Sequence, residues 1–187
     1  MNASIGTPET IVQLAKAYLT PGTLFCGADP TEVSTVLGSC VAVCLIDRYN
    51  RAGGMNHFVL PYDPAGSDNI RYGDAALERL REGMSLLGCP TRDLRAKVFG
   101  GANVLPFGEA RDTVGAQNVR TAISWLQGHL IPIQARRTGG THGLLIRFYT
   151  ASGGVLVRPI NPGSGIDTVR PAQLRSWGPA LTVEEEV

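Results

Sequence analysis

Cys40 and His57 are side chains of the two types that together perform nucleophilic catalysis. A thiol attacks as its thiolate. A neighbouring imidazole both lowers the thiol pKa from about 8.5 and carries the proton away. The spacing allows them to meet if 40–46 and 54–60 form an antiparallel hairpin, because Cys40 then lies opposite a residue between 57 and 60. Directly opposed side chains hold their Cβ atoms roughly 4.5–5.5 Å apart. Cys40 also follows Gly38-Ser39, where a tight backbone would aim N–H groups at a developing oxyanion. From spacing alone a second reading stands level with this one: Cys40 as a buried small hydrophobe and His57 as a core histidine with its hydrogen bonds met.

A metal centre is the competing chemistry. Cys40 and Cys44 share one strand face, but four residues of strand span roughly 13 Å. Two sulfurs that far apart cannot both reach a zinc at about 2.3 Å, nor close a disulfide. That weakens a metal centre, to which Cys26 or another histidine would have to contribute, and the thiol–imidazole chemistry itself requires no metal or organic cofactor. Cys26, Cys44 and Cys89 read as core or boundary residues, and His129 and His142 as a helix-end and a loop histidine. The Gly100-Gly101 and Gly139-Gly140 pairs fit neither phosphate-loop pattern, and turns between strands explain them more simply.

The elements that must position this pair follow from periodicity. Thr31–Leu37 is rich in β-branched residues and reads as a strand. Cys40–Ile46 reads as a strand buried on both faces, and Gly54–Leu60 as a second strand ended by Pro61. The apolar stripe Leu77, Leu80, Met84, Leu87 predicts a helix over 74–87. Val119, Ile123 and Leu126 predict another over 114–127. Further strands are expected at 97–99, 131–135, 144–150 and 155–159, the last two as a hairpin. With 23 glycines and 12 prolines among 187 residues, short elements joined by tight turns are expected. Runs of strands with two inserted helices predict mainly antiparallel or mixed sheets packed by helices, not a regular βαβ array.

The whole chain bounds the partners. Lys and Arg number 17 against 16 Asp and Glu, a net charge of +1, which makes no electrostatic case for nucleic acid or an anionic membrane. The longest apolar run, Val41–Ile46, is far short of the roughly 20 residues of a membrane span. With no secretory signal in the first residues and no CxxC among the four cysteines, a soluble cytoplasmic protein with reduced thiols is expected. The organisation reads as an N-terminal leader over 1–16, one domain over 17–176 and an acidic C-terminal tail over 177–187.

Two blocks carry a resemblance. Ser34-Thr-Val-Leu-Gly-Ser-Cys-Val-Ala-Val-Cys-Leu-Ile-Asp47 and Gly53-Gly-Met-Asn-His-Phe-Val-Leu-Pro61 are similar to the signature of the chemoreceptor glutamine deamidases of bacterial chemotaxis, the CheD family. The similarity continues through Lys97-Val-Phe-Gly-Gly-Ala-Asn103 and Val114-Gly-Ala-Gln-Asn-Val119, and covers residues 17–160. It implies a three-layer α/β/α sandwich, shared with the deamidating domain of certain bacterial cytotoxic toxins. It implies hydrolysis of selected glutamine amides on chemoreceptor cytoplasmic domains through a thioester, with Cys40 as nucleophile, His57 as base and backbone around Gly38 and Ser39 framing the oxyanion. The family's third group, a threonine six residues before the cysteine, falls on Ser34. Thr35 is adjacent and stays open as the third group, although one step along a strand points to the other face. The late block departs from the family's GGxxGR, having Gly139-Gly-Thr-His-Gly-Leu144 without the arginine.

The resemblance also implies a second class of role, as a regulatory binding partner of a CheC-type chemotaxis phosphatase with weak or vestigial catalysis. A peptidase or transglutaminase-like enzyme using the same pair is a third.

Overall fold

The computed structural model describes residues 14–103 and 113–160. In chain order the elements are β1 (Ala15–Tyr18), β2 (Thr23–Gly27), β3 (Thr31–Leu37), β4 (Val41–Asp47), β5 (Ala52–His57), α1 (Gly73–Leu86), β6 (Arg95–Gly100), α2 (Val114–Gly128), β7 (Ile133–Thr138), β8 (Gly143–Tyr149) and β9 (Gly154–Ile160). They build two mixed sheets. One has the order β2-β5-β4-β6-β7, the other β1-β3-β8-β9. All neighbours pair antiparallel except β6 with β7 and β1 with β3, which are parallel.

Alternation within single strands explains the stacking. Strand β4 is central, and all seven of its residues are buried. Val41, Val43 and Leu45 join Leu77, Leu80 and Met84 of α1 and Leu126 of α2 in one apolar cluster. Ala42, Cys44 and Ile46 point the other way, into a cluster with Val33, Leu37, Ile146 and Phe148 of the four-stranded sheet. On β3, Val33, Thr35 and Leu37 are buried while Glu32, Ser34 and Val36 are half-buried, the period of two that one covered face requires. Each fully buried Leu or Phe in these clusters contributes about 1.5–3 kcal/mol.

The layers of the described residues are therefore helices, five-stranded sheet, four-stranded sheet. The α/β class and the mixed sheets are as expected from the sequence. The side where an α/β/α sandwich would carry a second helical layer is occupied, among the described residues, by β1, β3, β8 and β9. Strand β1 already includes Ala15 and Lys16, within the expected leader, and the 177–187 tail lies outside the described residues.

Two local readings shift. The connection after β4 is tighter than expected because Asp47 accepts hydrogen bonds from the Tyr49 and Asn50 backbone N–H groups and from Asn50 Nδ2, closing the turn early. Helix α2 starts where Thr113 Oγ1 caps the Ala116 N–H. It buries Gly115, Asn118, Ala122 and Leu126, with Val119 and Ile123 at the flank of that face. The rotation has a steric cause: a Cβ on Gly115 would lie 2.6 Å from the Gly101 carbonyl oxygen, so only glycine lets the helix start this close to the sheet.

Candidate active site

His57 ends β5 and Cys40 immediately precedes β4. Cys44 pairs with Met55 and Leu45 with Gly54, and Val41 bridges Phe58. Extending that register by one residue puts Cys40 opposite Val59, so Cys40 and His57 are diagonal neighbours and not a direct pair. Both lie on the face shared with Ala42, Cys44 and Met55, which looks toward the four-stranded sheet. Diagonal Cα atoms are roughly 7–8 Å apart, a gap that an imidazole can bridge. Beside His57 the ladder is interrupted. The Val43 N–H goes to the Asn56 side-chain oxygen at 2.9 Å instead of to backbone.

The four-stranded sheet supplies the partner of the imidazole. Thr35 Oγ1 lies 2.8 Å from His57 Nδ1 and 2.8 Å from the Leu19 carbonyl oxygen. A carbonyl only accepts, so the single hydroxyl proton of Thr35 goes to Leu19. The oxygen of Thr35 then accepts from Nδ1–H. This pattern assigns the proton to Nδ1 and leaves Nε2 with its lone pair. Nε2 is buried and has no hydrogen-bond partner among the described residues.

Ser34 is not on this network. Its hydroxyl donates to the Ala17 carbonyl at 3.3 Å on the opposite face of β3. The sequence register that aligned Ser34 with the third group thus meets a strand whose inward residue is Thr35.

Burial sets the charge states. His57 is 2% exposed, and burial pushes its pKa down to about 4, opposed by the Leu19 carbonyl. Burial likewise pushes the half-buried Cys40 thiol above its ordinary value, opposed by its own backbone N–H and by the Arg71 guanidinium. At neutral pH the resting pair is therefore an uncharged thiol and an uncharged imidazole. The sequence-based expectation of a lowered thiol pKa is overridden because desolvation acts on both partners.

The backbone before β4 is held at three successive carbonyls. The Ala102 N–H donates to Gly38 at 2.8 Å, Asn118 Nδ2 to Ser39 at 3.0 Å, and the Gly101 N–H to Cys40 at 2.8 Å. Asn118 Nδ2 also donates to the Val59 carbonyl at 2.8 Å, tying the Cys40 side of the site to the segment just after His57. Gly100 has φ +103, and a Cβ there would sit 2.2 Å from the Cys40 oxygen. Gly38 and Ser39 thus lie in a fixed turn. Gly100, Gly101 and Asn118, which hold it, were not singled out by sequence reasoning as site residues. The signal available was their presence in the two later matching blocks.

Beyond Gly101 the backbone opens into a cleft of about 630 Å³ lined by Asn103, Thr113, Thr138, Gly139 and Gly140. The Gly139-Gly140 pair turns there with φ +76 and +80.

The remaining candidates stay apart. Cys26, Cys44 and Cys89 are buried free thiols. His129 stacks on Trp125 with ring centroids 3.9 Å apart, and His142 bonds to Thr141 in an exposed turn. No group of three or more His, Cys, Asp or Glu side chains able to hold a metal occurs among the described residues. No helix among them is long and apolar enough to cross a membrane.

Comparison with known proteins places this sequence among relatives of one family. The profile of a family described as CheD, chemotactic sensory transduction, matches residues 59–159, which include Arg71, Gly100 and Asn118 and begin just past His57. A probable chemoreceptor glutamine deamidase CheD of Rhodospirillum rubrum is 67% identical over 154 residues, covering 82% of this chain and 88% of that protein. Proteins of the same name from Trichlorobacter lovleyi and Sulfurimonas denitrificans are 41% and 38% identical, covering 77% and 79% of this chain and 90% and 96% of their own lengths. With the profile spanning more than half of its residues and relatives this similar along most of their lengths, this chain belongs to the CheD family.

Proposed function

We propose that this protein hydrolyses the side-chain amide of selected glutamines on chemoreceptor cytoplasmic domains to glutamate, with Cys40 as nucleophile, His57 as general base and Thr35 as the group that orients the imidazole. The observation that carries this reading is the Leu19–Thr35–His57 chain of hydrogen bonds. It leaves Nε2 as a proton acceptor on the same sheet face as Cys40.

The Cys40 thiol proton passes to Nε2 as the sulfur attacks the amide carbon. Negative charge moves to the amide oxygen, where N–H groups of the fixed Gly38–Cys40 turn are suited to receive it. The imidazolium returns its proton to the amide nitrogen, the C–N bond breaks and ammonia leaves a thioester. A water then gives a proton to Nε2 and attacks the same carbon. The C–S bond breaks, glutamate departs, and the thiol recovers its proton. Starting from an uncharged pair, the site forms charge only once substrate is in place. Glutamate formation changes a neutral receptor side chain into a carboxylate, which supports a role in tuning chemotaxis.

The test is ammonia release from purified receptor cytoplasmic fragments, with mass spectrometry locating the converted glutamines. Cys40→Ala should abolish release. Cys44→Ala, which removes a sulfur from the inter-sheet cluster, should retain it at a stability loss of about 1 kcal/mol. Undiminished release by Cys40→Ala would sink the mechanism. A wild-type chain that binds fragments without releasing ammonia would favour the binding-module reading, with a CheC-type phosphatase as the partner to try next.

A further inference from the structure

We propose that Arg71 is a specificity residue of this site, its guanidinium pairing with a carboxylate that the substrate carries beside the target glutamine. The inference rests on the deamidase reading and deepens it. The Arg71 carbonyl accepts from the Val59 and Leu60 N–H groups at 2.8 and 3.1 Å, and Val59 is the residue facing Cys40. The side chain of Arg71 lies across Gly22, where a Cβ would meet Arg71 Cγ at 2.7 Å. The Gly22 N–H in turn donates to the His57 carbonyl at 2.7 Å. Arg71 is thus anchored to the backbone beside both Cys40 and His57, while its side chain remains exposed.

The nearby carboxylates are engaged elsewhere. Asp68 pairs with Arg79, Asp63 accepts from Ala65 and Ser67, and Asp74 accepts from the Ala75 and Asp63 N–H groups. No carboxylate among the described residues forms an ion pair with Arg71, yet its charge reaches Cys40 and favours the thiolate against burial. The amide of a target glutamine is neutral and does not call for a cation. An exposed guanidinium on a stem packed over Gly22, with its charge reaching the nucleophile, therefore discriminates among neutral amides by what flanks them. Its planar fork suits a carboxylate in particular.

The experiment has two arms. In the first, Cys40 is alkylated with iodoacetate and with iodoacetamide, which differ in charge and need no turnover. Arg71→Gln should lower the iodoacetate-to-iodoacetamide rate ratio about threefold or more, Arg71→Glu further, and Arg71→Lys should keep it. In the second, glutamine peptides carrying Glu or Ala at the positions flanking the target are compared by kcat/KM. The wild-type preference for the acidic peptide should shrink in Arg71→Gln. An unchanged alkylation ratio overturns the proposal whatever the peptides show, as does an acidic preference that survives Arg71→Gln. If the wild-type chain releases no ammonia from any peptide or receptor fragment, the deamidase reading fails and the substrate role of Arg71 with it. The alkylation ratio then reports separately whether Arg71 attracts anions to Cys40.

Discussion

The imidazole of His57 has two nitrogens, and the role of base proposed for it depends on which one carries the proton. Thr35 decides this through the Leu19 carbonyl, which only accepts and so uses the hydroxyl proton. Thr35→Val keeps shape and strand propensity but deletes the oxygen. The buried Nδ1–H and the Leu19 carbonyl then lose their partner, at about 1–3 kcal/mol of stability. We expect kcat/KM to fall by on the order of tenfold or more, because the ring is then free to turn or to change tautomer. Ser34→Ala should change kcat/KM little, since its hydroxyl bonds to Ala17 on the other face. Steady-state kinetics of both variants on one receptor fragment, with thermal melts to confirm folding, decide between them. A crippled Ser34→Ala beside a normal Thr35→Val would reverse the assignment.

At the scale of elements, the site depends on how closely β6 and α2 approach the turn before β4. Gly100→Ala must fit a Cβ against the Cys40 oxygen from a left-handed backbone. We expect a loss above about 2 kcal/mol and slower iodoacetamide labelling of Cys40. Gly128→Ala is the matched control. It lies at the end of α2 with nothing within 4 Å of an added Cβ, and should be neutral or stabilising by up to about 1 kcal/mol. Asn118→Ala removes the donor shared by the Ser39 and Val59 carbonyls. Denaturant melts should show a loss of about 1–3 kcal/mol, and Cys40 labelling should slow because the two halves of the site are no longer tied. Labelling at the wild-type rate in a folded Asn118→Ala protein would mean that this tie does not position Cys40.

For the whole molecule, the buried imidazole makes stability depend on pH. An exposed histidine of the unfolded chain takes up a proton near its ordinary value of 6.5, but folded His57 does so only near 4. Between these values the unfolded state binds more protons, so stability falls as pH falls through that window and is fully present above 6.5. The contribution is roughly 3 kcal/mol, because each tenfold difference in proton affinity between the two states is worth roughly 1.4 kcal/mol. Urea midpoints measured from pH 7 to pH 4 should fall accordingly. In His57→Asn, which has no ionisable ring, the fall over the same range should be smaller by that amount. Equal slopes in the two proteins would mean that His57 is accessible to protons in the native state.

Sequence alone determined the α/β class, most of the strands, both helices and the family, because alternation, apolar stripes and glycine-framed cysteine and histidine blocks are local properties of the chain. The all-apolar Cys40–Ile46 run already required a strand covered on both faces. What covered it was not local. That a second sheet lies on one side depends on β3 pairing with β8, more than a hundred residues away in the chain. The same pairing decided which hydroxyl meets His57. Ser34 and Thr35 are equivalent in chemistry and adjacent in sequence, and only the face of β3 turned toward β5 distinguishes them. Spacing likewise brought Cys40 and His57 to one hairpin but left their registry open by several residues, until Val41 bridged Phe58 and made them diagonal. The pKa of the imidazole was also beyond the sequence, because it comes from the exclusion of water between two packed sheets. No run of neighbouring residues encodes that exclusion.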